Sequence, residues 1–376
     1  MKQTASQLKP ASGGLYAWLR PKRGARRLII TLGGALVLAG GFALAGSKPS
    51  PVGLTVQDIP VTATPIVAFD KANPAKTRFG KLTWRGGLVL TSPSRHFGGW
   101  SGLALGGKGK RLVAVSDVGT WMTADLDYDE ERPRGLASVK LGALQSLAGD
   151  TLARARDRDA EGIALAHGTL AKGQLLISFE RNQRIGRLDI GAKGISAPKS
   201  YVALPKAMKQ VRGNGGIEAI AVLRAGPYSG SLVAIPERLH DGSGSPKGWL
   251  WVKGRPQEFK VAGGDFSVTD AAALPDGGLL ILERRFRWDE GVKVRLRLVR
   301  RHELRPGARI KGEILLNANM NQEIDNLEGL AVHEGQRGEI VVTMISDDNF
   351  NPVLQRTVLL QFSFDRVELA SADKRP

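Results

Sequence analysis

An all-β, six-bladed β-propeller is the fold predicted by this sequence of 376 residues, and three observations lead to it. A motif recurs five times: a small polar or acidic cluster, an apolar run, a Gly turn, a second apolar run and a terminal acid. The copies are evenly spaced, since Gly102, Gly162, Ala219, Ala271 and Gly329 stand 60, 57, 52 and 58 residues apart, the size of one propeller sheet. Short apolar runs such as Arg111 to Ser116, Gln174 to Phe179 and Glu339 to Ile345 alternate with Gly and Pro turns, with scarcely any helical period.

Taken in chain order, residues 1–46 hold seven Lys or Arg and no acid, and end in an apolar stretch from Leu28 to Ala45 with a small-x-small close, Ala43-Leu44-Ala45. This is the pattern of a signal peptide or, left uncleaved, an N-terminal membrane anchor that tethers the chain through residues 28–45. Localisation is then periplasmic or extracellular. With no Cys in the chain, disulfides and a lipidated Cys are excluded. The formal charge of +18 falls to about +11 once the seven cations of that segment are set aside, which suits a small anionic or phosphorylated partner. Export argues against nucleic acid, and a monomer is expected.

Residues 47–78, rich in Pro and Thr, form an extended lead, and residues 79–376 form the propeller. The stretch from Leu136 to Arg156 reads as a helix and Leu204 to Val211 as a shorter one, both inserted between sheets. The five motifs supply five sheets. A sixth is inferred from Lys81 to Thr91 and Val358 to Leu369, closing the ring by pairing the two termini.

A residue recurring at one position of every sheet forms a ring around the channel. Acids recur at an early position, in Glu161, Glu218, Asp270 and Glu328, and at a late one, in Asp117, Glu180, Glu237, Glu283, Asp347 and Asp348. Carboxylates converging in a narrow mouth repel one another unless a hard cation, a proton or arginine neutralises them. Calcium suits such an oxygen-rich set, with Asn349 and backbone carbonyls completing a shell. The alternative is a set of clamps, because Arg181, Arg238 and Arg284 each follow an acid directly. Lys293, Arg295 and Arg297 alternate on one strand face and read either as a phosphate grip or as a solvated edge strand.

Other chemistries fail on their spacing. Gly102 to Lys108 matches a P-loop up to the Lys, but Gly109 stands where Ser or Thr is required. Asp125, Asp127 and Asp129 open like a calcium hand, yet Glu130 occupies the Gly position. There is no Gly-x-Ser-x-Gly elbow, and none of the five His shows zinc-ligand spacing; His96 alone falls beside a motif near the mouth.

The run Asp325-Asn326-Leu327-Glu328-Gly329-Leu330-Ala331 with Ile345-Ser346-Asp347-Asp348-Asn349-Phe350 resembles an exported bacterial family labelled esterase-like activity of phytase. Asp159-Ala160-Glu161-Gly162 with Ser178-Phe179-Glu180-Arg181, and Ser101-Gly102-Leu103 with Ser116-Asp117-Val118-Gly119, carry the same likeness. It extends from about Phe79 to Phe364. The resemblance implies a phytase-like propeller of the cell envelope acting as a phosphoester or ester hydrolase. By analogy with propeller phytases, calcium would be held by Asp117, Glu180, Glu218, Glu237, Asp348 and Asn349, catalysis carried by Glu161, Glu328 and Asp347, and substrate bound by Arg181, Arg238 and Arg284. The fourth copy departs from the pattern, with Ala271-Ala272 after Asp270. Two rivals stand beside this reading: a noncatalytic envelope propeller that binds a ligand or protein, and a calcium-dependent lactonase-like hydrolase.

Overall fold

The computed structural model describes residues 48–366. The signal or anchor segment and its candidate tether at residues 28–45 lie outside the described residues, as does the last part of the expected strand to Leu369. Among the described residues no helix is long and apolar enough to cross a membrane.

Each motif copy folds into an antiparallel sheet. Blade 1 runs through Trp100–Gly106, Arg111–Ser116, Thr120–Asp129 and Arg132–Ala143. Blade 2 uses Ala160–Gly168, Gly173–Phe179, Arg184–Gly191 and Gly194–Tyr201. Blade 3 uses Ile217–Val222, Leu232–Pro236, Lys247–Val252 and Arg255–Val261, and Arg309–Ile310 joins its edge in parallel. Blade 4 uses Ser267–Ala273, Leu279–Arg287, Gly291–Val299 and Glu313–Ala318. The first strand of each blade touches the first strand of the next, and Leu327–Glu334 in blade 5 returns to Trp100–Gly106, closing a ring.

The described residues form five blades, and the expectation of six is corrected. Thr357–Phe364 pairs on one side with Ile340–Ser346 and on the other with Leu82–Thr91, with Leu359 opposite Leu88. The terminal strands do pair, as expected, but they complete the fifth sheet because no inner strand is left to start another. The buried side chains divide accordingly into five apolar clusters, one between each pair of neighbouring blades. In Arg111–Ser116, Leu112 and Ala114 face blade 5 while Val113 and Val115 face blade 2. Both faces of the strand are buried, so its sequence is continuously apolar rather than alternating. Phe69, Phe79 and Trp84 from the lead and first strands pack edge-on or tilted around Phe362, with Phe69 and Phe362 centroids 4.9 Å apart. Such contacts add about 1 kcal/mol each beyond area burial, and here they bind the two ends of the propeller.

The helix expected from Leu136 to Arg156 does not form. Its first half is the outer strand of blade 1, and only Ala155–Arg158 is helical. The shorter expectation holds, with a helix at Lys206–Gln210. The lead is not free chain: Gln57–Asp58 pairs with blade 1 and Thr62–Ile66 with blade 5.

Candidate metal centre

The acids meet at one end of the channel because every blade carries a β-bulge at the same place. The ladder between the first and second strands skips a residue at Ser101, Glu161, Glu218, Thr269 and Glu328. A bulge turns the extra side chain out of the ladder, and here it forms the early ring. The following residue faces the next blade at close range. A Cβ on Gly102 would come 2.7 Å from the Glu161 carbonyl, and one on Gly162 would clash with the Glu218 carbonyl, so glycine there brings adjacent acids together.

Blade 4 corrects the sequence alignment by one residue. Asp270 pairs with Leu282 as Gly102 pairs with Val115 and Gly329 with Ile345. Asp270 therefore occupies the glycine position and Thr269 the ring position. On the second strand the same slip sets Arg284 where the other blades have Asp117, Glu180, Glu237 and Asp347.

The misaligned acids are structural. Asp270 accepts hydrogen bonds from the Leu330 and Ala271 amides at 2.7 and 2.8 Å, tying blade 4 to blade 5. Glu283 binds Arg297 through two bonds of 3.0 and 3.1 Å, both groups buried. The alternating cations of that strand are likewise occupied: Lys293 pairs with Glu290 and Arg295 stacks on Phe266. They offer no phosphate grip, and Arg297 is no solvated edge residue.

Blades 2 and 3 hold the open carboxylates. Ligand oxygens of Asp159, Glu161 and Glu180 all lie within 4.8 Å of one another, and so do those of Glu180, Glu218 and Glu237. Glu180 belongs to both sets and is fixed by accepting hydrogen bonds from the Gly215 and Gly216 amides. Burial, reinforced by neighbouring carboxylates, pushes Glu161 and Glu218 well above the usual carboxylate range. Burial also raises Asp159 to about 7, against the opposing pull of Arg181, whose Nε lies 2.6 Å from its Oδ2. Arg181 also donates to Asn214.

The remaining predicted residues, Arg238 apart, belong to blades 1, 4 and 5. Arg284 reaches Glu328 at 3.1 Å, and Glu328 also accepts from Asn326 Nδ2 at 2.9 Å. Asp117 is paired with Lys48. Asp347 accepts from the Asn349 amide at 2.6 Å, and burial followed by Glu328 and Asp117 pushes it well up. Asp348 accepts from the Gly99 and Phe350 amides and the Thr357 hydroxyl, which joins blade 5 to the start of blade 1. Asn349 donates to Gln355. Arg238 pairs with Glu237 at 3.1 Å but is largely exposed. His96 is buried beside this region, where burial and Arg95 lower its pKa.

Two residues were not singled out from sequence. Asp159 had a signal, since it opens the Asp159-Ala160-Glu161-Gly162 motif only two positions before Glu161. Lys48 had none, because the lead carries no periodicity. Beyond the acids the channel narrows to a cavity of about 40 Å³ lined by the inner strands, with side chains such as Leu103, Ile163, Ile220, Ala272 and Leu330 and also Arg224.

The oxygen-only donor set of blades 2 and 3, with its close carboxylates and raised pKa values, fits a hard divalent cation. No curated protein matches the chain. A family model for phytase-like proteins, esterase-like activity of phytase, matches residues 95–350. That match spans every inner strand and both acid positions, and the chain belongs to this phytase-like propeller family.

Proposed function

We propose that the protein is a metal-dependent hydrolase of phosphoesters or esters, with calcium held by Asp159, Glu161, Glu180, Glu218 and Glu237. The observation that carries this reading is the pair of carboxylate triplets sharing Glu180. When bound, the cation supplies Lewis acidity toward a phosphoryl or carbonyl oxygen and activation of water. The chain's own groups do the rest. Asp159 is oriented by Arg181, whose Nε lies 2.6 Å from its Oδ2, and a bound cation would hold it ionised as a ligand. Arg284 stands across the mouth with its guanidinium held by Glu328, and it orients an anionic substrate group. Glu328 thus acts as a positioning residue.

Export to the periplasm or cell exterior is supported by the basic, acid-free first 46 residues, and a small anionic substrate by the cations facing the carboxylates.

The test measures hydrolysis of aryl phosphates and aryl esters by the purified chain, with and without chelator. Turnover that requires calcium and disappears in Glu161→Gln and Glu218→Gln is expected. Turnover unchanged by chelator would end the metal reading.

A further inference from the structure

The mouth has three carboxylate corners: in blades 2 and 3 Arg181 and Arg238 pair with Asp159 and Glu237 but leave Glu161, Glu180 and Glu218 without a cation of the chain, and each of the other two corners seats a cation of its own. Arg284 occupies the corner between blades 4 and 5 through Glu328. Between the neighbouring blades 5 and 1, Asp117 and Asp347 lie close enough for the Asp117 charge to raise Asp347, and the Lys48 ammonium is seated there on Asp117. Asp347 and Asp159 also act on its charge, and together these acids raise its pKa to about 12 despite partial burial. The second Asp117 oxygen is buried with no hydrogen-bond partner, so the carboxylate is not otherwise satisfied. A buried carboxylate in that state is neutralised by a proton or by a cation close by, and Lys48 supplies the cation.

Lys48 is also held in place by its surroundings. Pro51 is buried, the Leu54 amide donates to the Pro51 carbonyl at 3.0 Å, and Leu54 packs on the cluster between blades 5 and 1. Gln57–Asp58 then pairs with Leu141 and Lys140 on the outer strand of blade 1. The segment is a strap crossing from the rim of blade 1 to its innermost acid.

We infer that Lys48 is a resident cation of the mouth, filling a third cation position between Asp117 and Asp347 and confining divalent ions to blades 2 and 3. This rests on the proposed metal site for its consequence, but the position itself is defined by Lys48, Asp117 and Asp347 alone. Replacing the ammonium by an apolar group of similar length leaves two carboxylates uncompensated and opens the position to a divalent ion. Arginine keeps the charge and keeps it closed.

The experiment counts calcium ions bound per full-length chain by isothermal titration calorimetry. Lys48→Met is expected to bind one more ion than the wild type. Lys48→Arg is expected to match the wild type, and Lys48→Met/Asp117→Asn to return to the wild-type count. Equal counts for wild type and Lys48→Met overturn the inference. A wild type that binds no calcium removes the proposed metal site, while a single ion gained by Lys48→Met still upholds the Lys48 position. Should Lys48→Met fail to fold, hydrogen exchange of residues 49–54 decides it. Faster exchange in Asp117→Asn is expected if the ammonium anchors the strap, and unchanged exchange overturns it.

Discussion

Blades 2 and 4 are written in the same motif and differ by one residue in register. In blade 2 that register turns Glu161 and Glu180 toward Asp159 and Glu218. In blade 4 it turns Asp270 onto the Leu330 amide, Glu283 onto Arg297 and Arg284 into the mouth. The same residue types therefore stabilise the fold in one blade and load it with repulsion in the other. An acid's role here is decided by which face of its strand it occupies, not by its place in the motif.

Substitutions should separate the two blades, the clamps first. Arg297→Met strands the buried Glu283 carboxylate and should cost about 4 kcal/mol in urea unfolding, with calcium binding unchanged. Asp270→Ala leaves two buried amides without acceptors and should cost about 2–3 kcal/mol. A loss below about 0.5 kcal/mol in either case would break the assignment of blade 4 as structural.

Blade 3 should respond with the opposite sign. Glu218→Gln removes a repelling charge and should raise the stability of chelated protein by about 1 kcal/mol, while abolishing the melting-temperature rise caused by calcium. Glu180 is a less clean choice, because it also holds the Gly215 and Gly216 amides.

The pH profile tests the same point without substitution. Asp159 holds its proton up to about 7 in the fold but releases it near 4 when unfolded. Between those values the native state binds more protons, so the stability of chelated protein should fall as pH rises from 4 to 8. Saturating calcium should flatten that slope in a melting series. A flat profile under chelation would mean that Lys48, Arg181 and Arg284 already compensate the ring. The smallest effect is expected at the largely exposed Arg238, where Ala should change stability by less than about 0.5 kcal/mol.

The five motif copies made the five inner strands legible, because burial on both strand faces writes continuous apolar runs. The pairing of the two termini was legible but the blade count was misread, because nothing within Val358–Phe364 states that its other neighbour is Ile340–Ser346. The convergence of acids was legible from the period of the motif. Their division into clamps and open carboxylates was not, since it depends on a one-residue bulge offset in blade 4 and on partners such as Leu330, a full blade away. Lys48 was invisible for a related reason. Its role comes from the route of a Pro-rich strap, which no local pattern encodes.

The closure of blade 5 by strands from opposite ends of the chain makes folding a matter of waiting. Leu82–Thr91 emerges early from synthesis, yet its partner Thr357–Phe364 comes last. Until it arrives, an apolar edge stays unpaired and the contacts of Phe69, Phe79 and Trp84 with Phe362 are missing. Contacts of such long sequence separation slow folding and leave intermediates prone to association. The finished sheet then gains what its precursors lack, since Thr357–Phe364 lies between Ile340–Ser346 and Leu82–Thr91 and cannot leave without giving up both ladders.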